Sequence, residues 1–352
     1  MEIKNFFSKT ELQKNGKLYD VFSLFNLIKI KRRKHLIYQG VESLFGKRRV
    51  LFVHFEFTSV CNRQCSYCLE NNGNPNKIKE AWSDENKVLS AVEKIFALAN
   101  ETDFVFFIIA GGEPTLQPAF IKLVEKIKSY RNGGCLVTTN LTQSIEYYQQ
   151  LDIPICTSLH LENNDVDQYL KKVKELKNLI AHVRLMAPPH MVPQIQAAFK
   201  KLKQLNQTDH ISFAVERLYS FGDQIITYPP EELKEISKLG YYDAEYPESL
   251  KQKMGPAEDI FYRFFWFYKN NKKKEGTTCF KNFFCDRNLM VVLSSGEIKL
   301  AWCETPGLNI FSDDLPTNIF KTVVCSCDNC PMGFSGNLPK YARKKYSPLY
   351  NR

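Results

Sequence analysis

Cys61, Cys65 and Cys68 stand in the segment TSVCNRQCSYCLENNG with the spacing C-x-x-x-C-x-x-C. Thiolates are the protein ligands of iron–sulfur clusters. Three of them on one loop can each take one iron of a [4Fe–4S] cluster and leave the fourth iron open to another ligand. A structural zinc ion asks for four closed ligands, usually in paired C-x-x-C spacing. No fourth Cys or His follows nearby, and the nearest upstream histidine, His54, sits inside an apolar run that reads as a strand. The spacing therefore favours an open cluster.

A second group, Cys279, Cys285, Cys303, Cys325, Cys327 and Cys330, fills the last quarter of the chain. Cys285 and Cys303 flank a hairpin (LMVVL, a turn at Ser294-Ser295-Gly296, then EIKLAW), and Cys327-x-x-Cys330 follows. Cys285, Cys303, Cys327 and Cys330 can gather around one metal group. Zinc suits four cysteines as well as an iron–sulfur cluster does. Cys135 and Cys156 stand alone within apolar strands and read as small core residues. Eleven cysteines is an odd count, which argues against a disulfide framework and for metal-binding thiols in a reducing compartment.

The elements that must position these residues recur from 50 to 218. Strand-length apolar runs are VLFVHFEFT (50–58), DFVFFIIA (103–110), GCLVTT (134–139), IPICTSLH (153–160), AHVRLMA (181–187) and ISFAVERL (211–218). Their Val, Ile and Phe content fits strands buried on both faces. Helical segments lie between them: Ser83-Asp84 caps one, Pro118 opens another, Asp165 begins a third and Pro193 a fourth. Six strands joined by helices imply parallel pairing with right-handed crossovers. The expected fold class is α/β, a partial (β/α)6 barrel of parallel strands with a small cysteine-rich C-terminal hairpin module. In such folds chemistry collects at the carboxyl ends of the strands. The Cys61–Cys68 loop leaves the first strand there, and Ala110-Gly111-Gly112-Glu113-Pro114 leaves the second.

That arrangement resembles the radical S-adenosylmethionine (SAM) enzymes. The cysteine loop follows strand one, an aromatic residue, Tyr67, precedes the third cysteine, and strand two ends in the GGEP motif. Glycines there let the backbone approach the methionyl amino group closely. The resemblance implies that Cys61, Cys65 and Cys68 bind a [4Fe–4S] cluster and that SAM chelates its open iron. One electron then cleaves SAM, and the 5′-deoxyadenosyl radical abstracts hydrogen from an enclosed substrate.

The resemblance also points to Tyr67, Gly111, Gly112, Glu113 and Pro114 for the cofactor, with Thr139 and Asn140 ending strand three. Ser158 and His160 end strand four, where the family often has Ser-x-Asp, so His160 departs from the pattern. Arg184 on strand five is a candidate for the SAM carboxylate or for an ion pair with Glu56 or Glu216. His54 and Glu56 share one face of strand one and can point into the barrel. No catalytic residue beyond these is singled out.

The C-terminal cysteines resemble the auxiliary-cluster domains called SPASM and twitch, which implies a second, auxiliary [4Fe–4S] cluster. Gly296 lies seven positions before Cys303 and six cysteines are present, which favours the shorter, one-cluster form. Cys279 and Cys325 are then spare or substitute for one of the four.

The expected divisions are a basic N-terminal extension (1–50), the barrel (51–218), a helical connector (219–278), the auxiliary-cluster module (279–335) and a basic tail (336–352). The 352 residues are 44% apolar and 24% charged, as in soluble globular proteins. No run approaches the roughly 18 apolar residues that span a bilayer, and the start carries no apolar signal core. A cytoplasmic location is expected. The net charge of +10 belongs to the ends. Residues 1–50 carry 12 Lys/Arg against 4 Asp/Glu, and residues 331–352 carry 5 Lys/Arg and no acid. The body is close to neutral, so no nucleic acid is expected as a partner. A helix is expected over LYDVFSLFNLIKIKRRKH, covering the barrel mouth or touching a membrane surface. The expected partners are a small-molecule or carbohydrate-type substrate, with a peptide as the alternative, and an electron donor such as flavodoxin or ferredoxin. A non-catalytic electron-transfer or metal-binding protein is the reading from another class, and the intact GGEP turn speaks against it.

Overall fold

The computed structural model describes residues 7–14, 17–24, 28–33, 50–68, 84–101, 103–218, 226–242, 244–257, 284–286, 288–300, 306–320, 322–324 and 340–341. Of these, 7–14, 17–24, 28–33, 284–286, 322 and 340–341 are described by backbone alone.

The expected N-terminal helix is replaced by strands. β1 (Phe7–Lys14), β2 (Lys17–Leu24) and β3 (Ile28–Arg33) form an antiparallel three-stranded sheet. Lys14 pairs with Lys17, and the sequence between them is Asn-Gly. Asn-Gly between two alternating runs is a strong sequence signal for a two-residue hairpin. Ile28 and Ile30 alternate with Lys29 and Lys31, a period of two rather than 3.6.

β4 (Val50–Thr58), β5 (Phe104–Gly111), β6 (Gly133–Thr139), β7 (Ile155–Leu159), β8 (Ile180–Ala187) and β9 (Phe213–Arg217) pair in parallel in that order. Between them run α1 (Glu85–Ala97), α2 (Phe120–Lys128), α3 (Ile145–Leu151), α4 (Val166–Glu175) and α5 (Val192–Asp209). Asp84, Ser144 and Asp165 cap α1, α3 and α4 by accepting from backbone N–H groups. Each such cap is worth about 1 kcal/mol. The sheet does not close. It is a partial α/β barrel.

The alternation within each strand separates two environments. Leu51, Val53, Phe55 and Phe57 on β4 are fully buried and join the apolar faces of α1 and α2 in one continuous core. Cys135 belongs to that core, as expected, and burial pushes its thiol up to about 12. The other face turns inward. Near the amino ends it carries Phe52, Phe104 and Phe106. Beyond α6 (Pro230–Lys238) and the two-residue strand β10 (Tyr241–Tyr242), α7 (Glu248–Met254) lies against this end. Its Leu250 and Met254 are buried with Tyr246 and Ala181, and Lys253 pairs with Asp152 at 2.6 Å. Toward the carboxyl ends the same face becomes polar, with His54, Glu56, Thr138, Ser158, Arg184 and Glu216.

The hairpin expected in the C-terminal module is present as β12 (Leu289–Val292) and β13 (Ile298–Leu300), turning at Gly296 with φ +85°. It is not a separate layer. β12 pairs in parallel with β4, so the sheet runs β10-β9-β8-β7-β6-β5-β4-β12-β13. Asn288 pins the junction: its Nδ2 donates to the Val50 carbonyl and its own carbonyl accepts from Phe52 N–H. A third sheet joins β11 (Phe284–Asp286) to β14 (Thr322–Val324) and β15 (Lys340–Tyr341). Among the described residues no helix is long and apolar enough to cross a membrane. Of the connector's aromatic segment AEDIFYRFFWFYKN (257–270), residues 258–270 lie outside the described residues.

Candidate functional site

Thr58 ends β4, and its backbone receives the turn that ends β5. Gly112 N–H donates to Thr58 O at 2.6 Å, and Glu113 N–H donates to Val60 O at 2.7 Å. A Cβ at Gly111, whose φ is +119°, would sit 2.2 Å from Thr58 O. A Cβ at Gly112 would sit 2.2 Å from Val60 O. These glycines were expected to make room for a ligand. They are required first by the chain's own backbone, which brings the GGEP turn and the cysteine loop into direct contact.

Glu113 is fully buried and ties three elements together. Its Oε1 accepts from Thr115 Oγ1 (2.5 Å), Thr139 Oγ1 (2.8 Å) and Thr115 N–H (3.3 Å). Its Oε2 accepts from Asn140 N–H at 2.7 Å. Burial pushes this carboxyl up from its ordinary value, and the four hydrogen bonds act in the opposite direction. Pro114 opens the short 3-10 turn Pro114–Leu116 that carries Thr115. Thr139 also takes a hydrogen bond from the Tyr148 hydroxyl at 3.0 Å. Asn140 reaches back to the cysteine loop. Its Nδ2 donates to Asn62 Oδ1 at 2.9 Å and approaches Cys61 Sγ at 3.7 Å. Asn140 Oδ1 is buried with no hydrogen-bond partner.

The other side of the cysteine loop is held by residues 160–164, His-Leu-Glu-Asn-Asn, between β7 and α4. Ser66 donates to Glu162 through both its N–H (2.8 Å) and its hydroxyl (2.5 Å). The Arg63 guanidinium donates to the Asn163 carbonyl. Asn163 Nδ2 donates to Cys65 Sγ at 3.3 Å. His160 Nδ1 lies 2.9 Å from the Tyr67 hydroxyl and 3.4 Å from Cys65 Sγ, and the two rings stack 6.1 Å apart. Asn164 Oδ1 accepts from His160 N–H and fixes the turn. Burial, with Arg184 and Arg63 adding, lowers His160 to about 4, so its ring is neutral at neutral pH. Burial raises the Tyr67 phenol, which stays an O–H donor.

Burial also raises Cys65 to about 11, and it raises Cys61. The two thiols and Cys68 feel one another's charge across the loop. Cys61 and Cys65 are therefore thiols at neutral pH, and a bound cationic metal group is what ionises them. Among the described residues, no three His, Cys, Asp or Glu side chains crowd round a point as one ion requires. A four-iron cluster takes one thiolate per iron, so its ligands need not share a point. The three thiols, the N–H donors aimed at them and the unpartnered Asn140 oxygen beside Cys61 fit such a group with its ligand.

On the barrel's inner face Arg184 Nη2 donates to Ser158 Oγ at 2.9 Å, and Arg184 Nε is buried without a hydrogen-bond partner. The expected ion pair is not formed. Among the described residues no carboxylate lies within ion-pair distance of this guanidinium, and Glu216 acts on it only at longer range. His54 and Glu56 do face inward, 3.9 Å apart, and burial lowers His54 to about 4 with Arg184 adding. Cys156 is half-buried on this same face, near Arg184 and Glu216, rather than in the apolar core. Cys285 stands on β11 opposite Val323 and Lys340, with its side chain outside the described residues. Cys279, Cys303, Cys325, Cys327 and Cys330 lie outside them too. Sequence reasoning missed Asn62, Arg63, Thr115, Tyr148, Glu162, Asn163 and Asn164. The polar run after β7 was the signal for the last three.

Comparison with known proteins agrees with this geometry. The chain is 33% identical over 81 residues to a GTP 3',8-cyclase of Pasteurella multocida, covering 23% of each chain. It is 35% identical over 124 residues to the molybdenum cofactor biosynthesis protein moc-5 of Caenorhabditis elegans, covering 34% of this chain and 20% of that one. The matches thus span about a quarter of these relatives' length. The solved structure of anSMEcpe with bound AdoMet superposes with a TM-score of 0.50 at 17% identity, over 76% of this chain and 77% of that one, which shows a shared fold. The radical SAM superfamily pattern matches residues 55–240, just over half of the chain, including the cysteine loop and the GGEP turn. The chain belongs to the radical SAM superfamily.

Proposed function

We propose that this chain is an enzyme that reductively cleaves SAM and abstracts hydrogen from a small-molecule or carbohydrate-type substrate. The observation that carries the reading is the clamp on the cysteine loop. Backbone bonds from Gly112 and Glu113, and side-chain bonds from Asn140, hold that loop at the carboxyl ends of β4 to β6. When bound, the cluster and SAM supply one electron and the 5′-deoxyadenosyl radical. The chain supplies position and exclusion of water.

Cys61, Cys65 and Cys68 hold the cluster in this reading. The Gly111–Pro114 turn, Tyr67, Thr139, Asn140, Ser158, His160 and Arg184 surround the SAM position. Asn140 Oδ1, a buried acceptor without a partner, suits an ammonium group, and Arg184 Nε suits a carboxylate. A flavodoxin or ferredoxin provides the electron. Cys285, Cys303, Cys327 and Cys330 hold an auxiliary cluster.

The inner wall supports this choice of substrate class. Among the described residues it offers one guanidinium, Arg184, beside the carboxylates Glu56 and Glu216 and the hydroxyls of Thr138 and Ser158. A polyphosphate would meet net negative charge there. A neutral, hydroxyl-rich molecule would meet hydrogen-bond partners.

Anaerobic reconstitution with iron and sulfide tests the proposal. Reduced protein given SAM should release 5′-deoxyadenosine, and Cys65→Ala should not. About eight irons per chain support two [4Fe–4S] clusters, whereas about four irons with one zinc place zinc at the C-terminal cysteines. Iron-loaded wild type that makes no deoxyadenosine ends the reading.

A further inference from the structure

Cys65 differs from the other two thiols of its loop. It is buried, whereas Cys61 and Cys68 are partly exposed. The 160–164 turn also brings a convergent set of donors to its sulfur. Asn163 Nδ2 donates to Sγ directly at 3.3 Å. His160 Nδ1 lies 3.4 Å from the same sulfur, with the Tyr67 hydroxyl beside both. His160 Nδ1 stands 2.9 Å from that hydroxyl. A thiolate only accepts, so the consistent polarity points the His160 Nδ1–H and the Tyr67 O–H toward Cys65 Sγ. The turn that builds this set is itself braced by Ser66 on Glu162, by Arg63 on the Asn163 carbonyl and by Asn164 on the His160 amide.

We propose that the 160–164 turn sets the reduction potential of the cluster, through donors from Asn163 and from the His160–Tyr67 pair onto Cys65. This rests on the proposed cluster at Cys61, Cys65 and Cys68. A donor to a cluster sulfur draws negative charge off it and so favours the form carrying one more electron. The net effect is a cluster easier to reduce. Asn163 and the His160–Tyr67 pair are positioning residues: they act on the metal group through Cys65. Glu162 works against them. Its carboxylate is held on Ser66, next to Cys65 in the chain, so its charge disfavours the added electron.

Redox titration of the reconstituted full-length protein, followed by electron paramagnetic resonance, tests this. The signal absent from Cys65→Ala identifies the cluster being followed. Tyr67→Phe keeps the ring that stacks on His160 and loses only the hydroxyl. Asn163→Ala loses only the amide donor. Each is expected to load as much iron and sulfide as wild type and to show a more negative midpoint potential. Their effects should add, because the donors are independent. His160→Phe combined with Tyr67→Phe should shift the potential further than Tyr67→Phe alone, because His160 Nδ1 also reaches the sulfur itself. Glu162→Gln should move the potential the other way. Loaded Tyr67→Phe and Asn163→Ala proteins with wild-type potentials would overturn the proposal. If one of the two fails to load, the other decides. A wild type that binds no cluster or cleaves no SAM instead overturns the functional reading beneath it.

Discussion

Glu113 at the end of β5 accepts a hydrogen bond from the backbone N–H of Asn140 at the end of β6, at 2.7 Å. The same carboxylate takes Thr115 and Thr139, so one side chain fixes the relative position of two strand ends and the turn between them. Asn140, held in this way, is also the residue that reaches the cysteine loop. The carboxylate's work is to place backbone.

Glu113→Gln replaces an acceptor-only group with one that must turn two N–H donors toward existing donors. We expect a loss of about 1–3 kcal/mol in unfolding free energy, read from the urea midpoint. Iron incorporation should fall with it, because the loop loses its anchor through Asn140. Unchanged stability and unchanged iron content would show that the network is not holding the loop.

Gly112→Ala places a methyl 2.2 Å from the Val60 carbonyl, where backbone must move. The loop carrying Cys61 begins one residue later. The expected result is soluble protein with sharply reduced iron per chain after reconstitution. Gly240→Ala is the control, since its nearest neighbour would be 4.0 Å away on a Tyr242 ring, and it should reconstitute like wild type.

Phe55→Ala removes a fully buried ring from the core between the sheet and α1–α2 and should cost about 3–5 kcal/mol. Glu56→Ala, one residue along on the inward face, should cost far less stability. Denaturation of the pair checks the assignment of the two faces, and equal losses would contradict it.

His182 is buried, hydrogen-bonded to Ser212 at 2.8 Å and stacked on Tyr241. Burial, with Arg184 adding, holds its pKa well below the ordinary value. The unfolded chain therefore binds a proton that the folded one refuses. Stability is retained above the unfolded value near 6.5 and lost as pH falls below it, by up to about 1.4 kcal/mol per pH unit. Urea midpoints at pH 7 and pH 5.5 should differ less in His182→Asn than in wild type.

The six strands and the helices between them were legible because period and length agree: VLFVHFEFT and its five successors are too short and too apolar to be anything else. Asp84 and Asp165 were legible as caps for the same local reason. The N-terminal strands were not legible, because LYDVFSLF satisfies a helical stripe nearly as well as an alternation, and only the Asn15-Gly16 pair distinguishes the two. The pairing of β12 with β4 joins residues about 240 positions apart, and nothing local encodes it. At the site, the cysteines and GGEP announced themselves by spacing. Asn163 and Glu162 did not, since a polar run after a strand looks like any solvated turn until the fold folds it back onto Ser66 and Cys65. Arg184 faces inward by strand alternation, but its partner is Ser158 rather than a carboxylate.

β12 is what lies beside β4 on the side away from β5, and Asn288 fastens its first turn of ladder. The strand whose last residue leads toward Cys61 is thereby kept in the interior of the sheet. A chain cut before Asn288 would leave β4 as a raw margin of unpaired amides and carbonyls, ready to zip against a second copy of itself. The hairpin is thus a selvage, and the thiol loop hangs from the thread it protects.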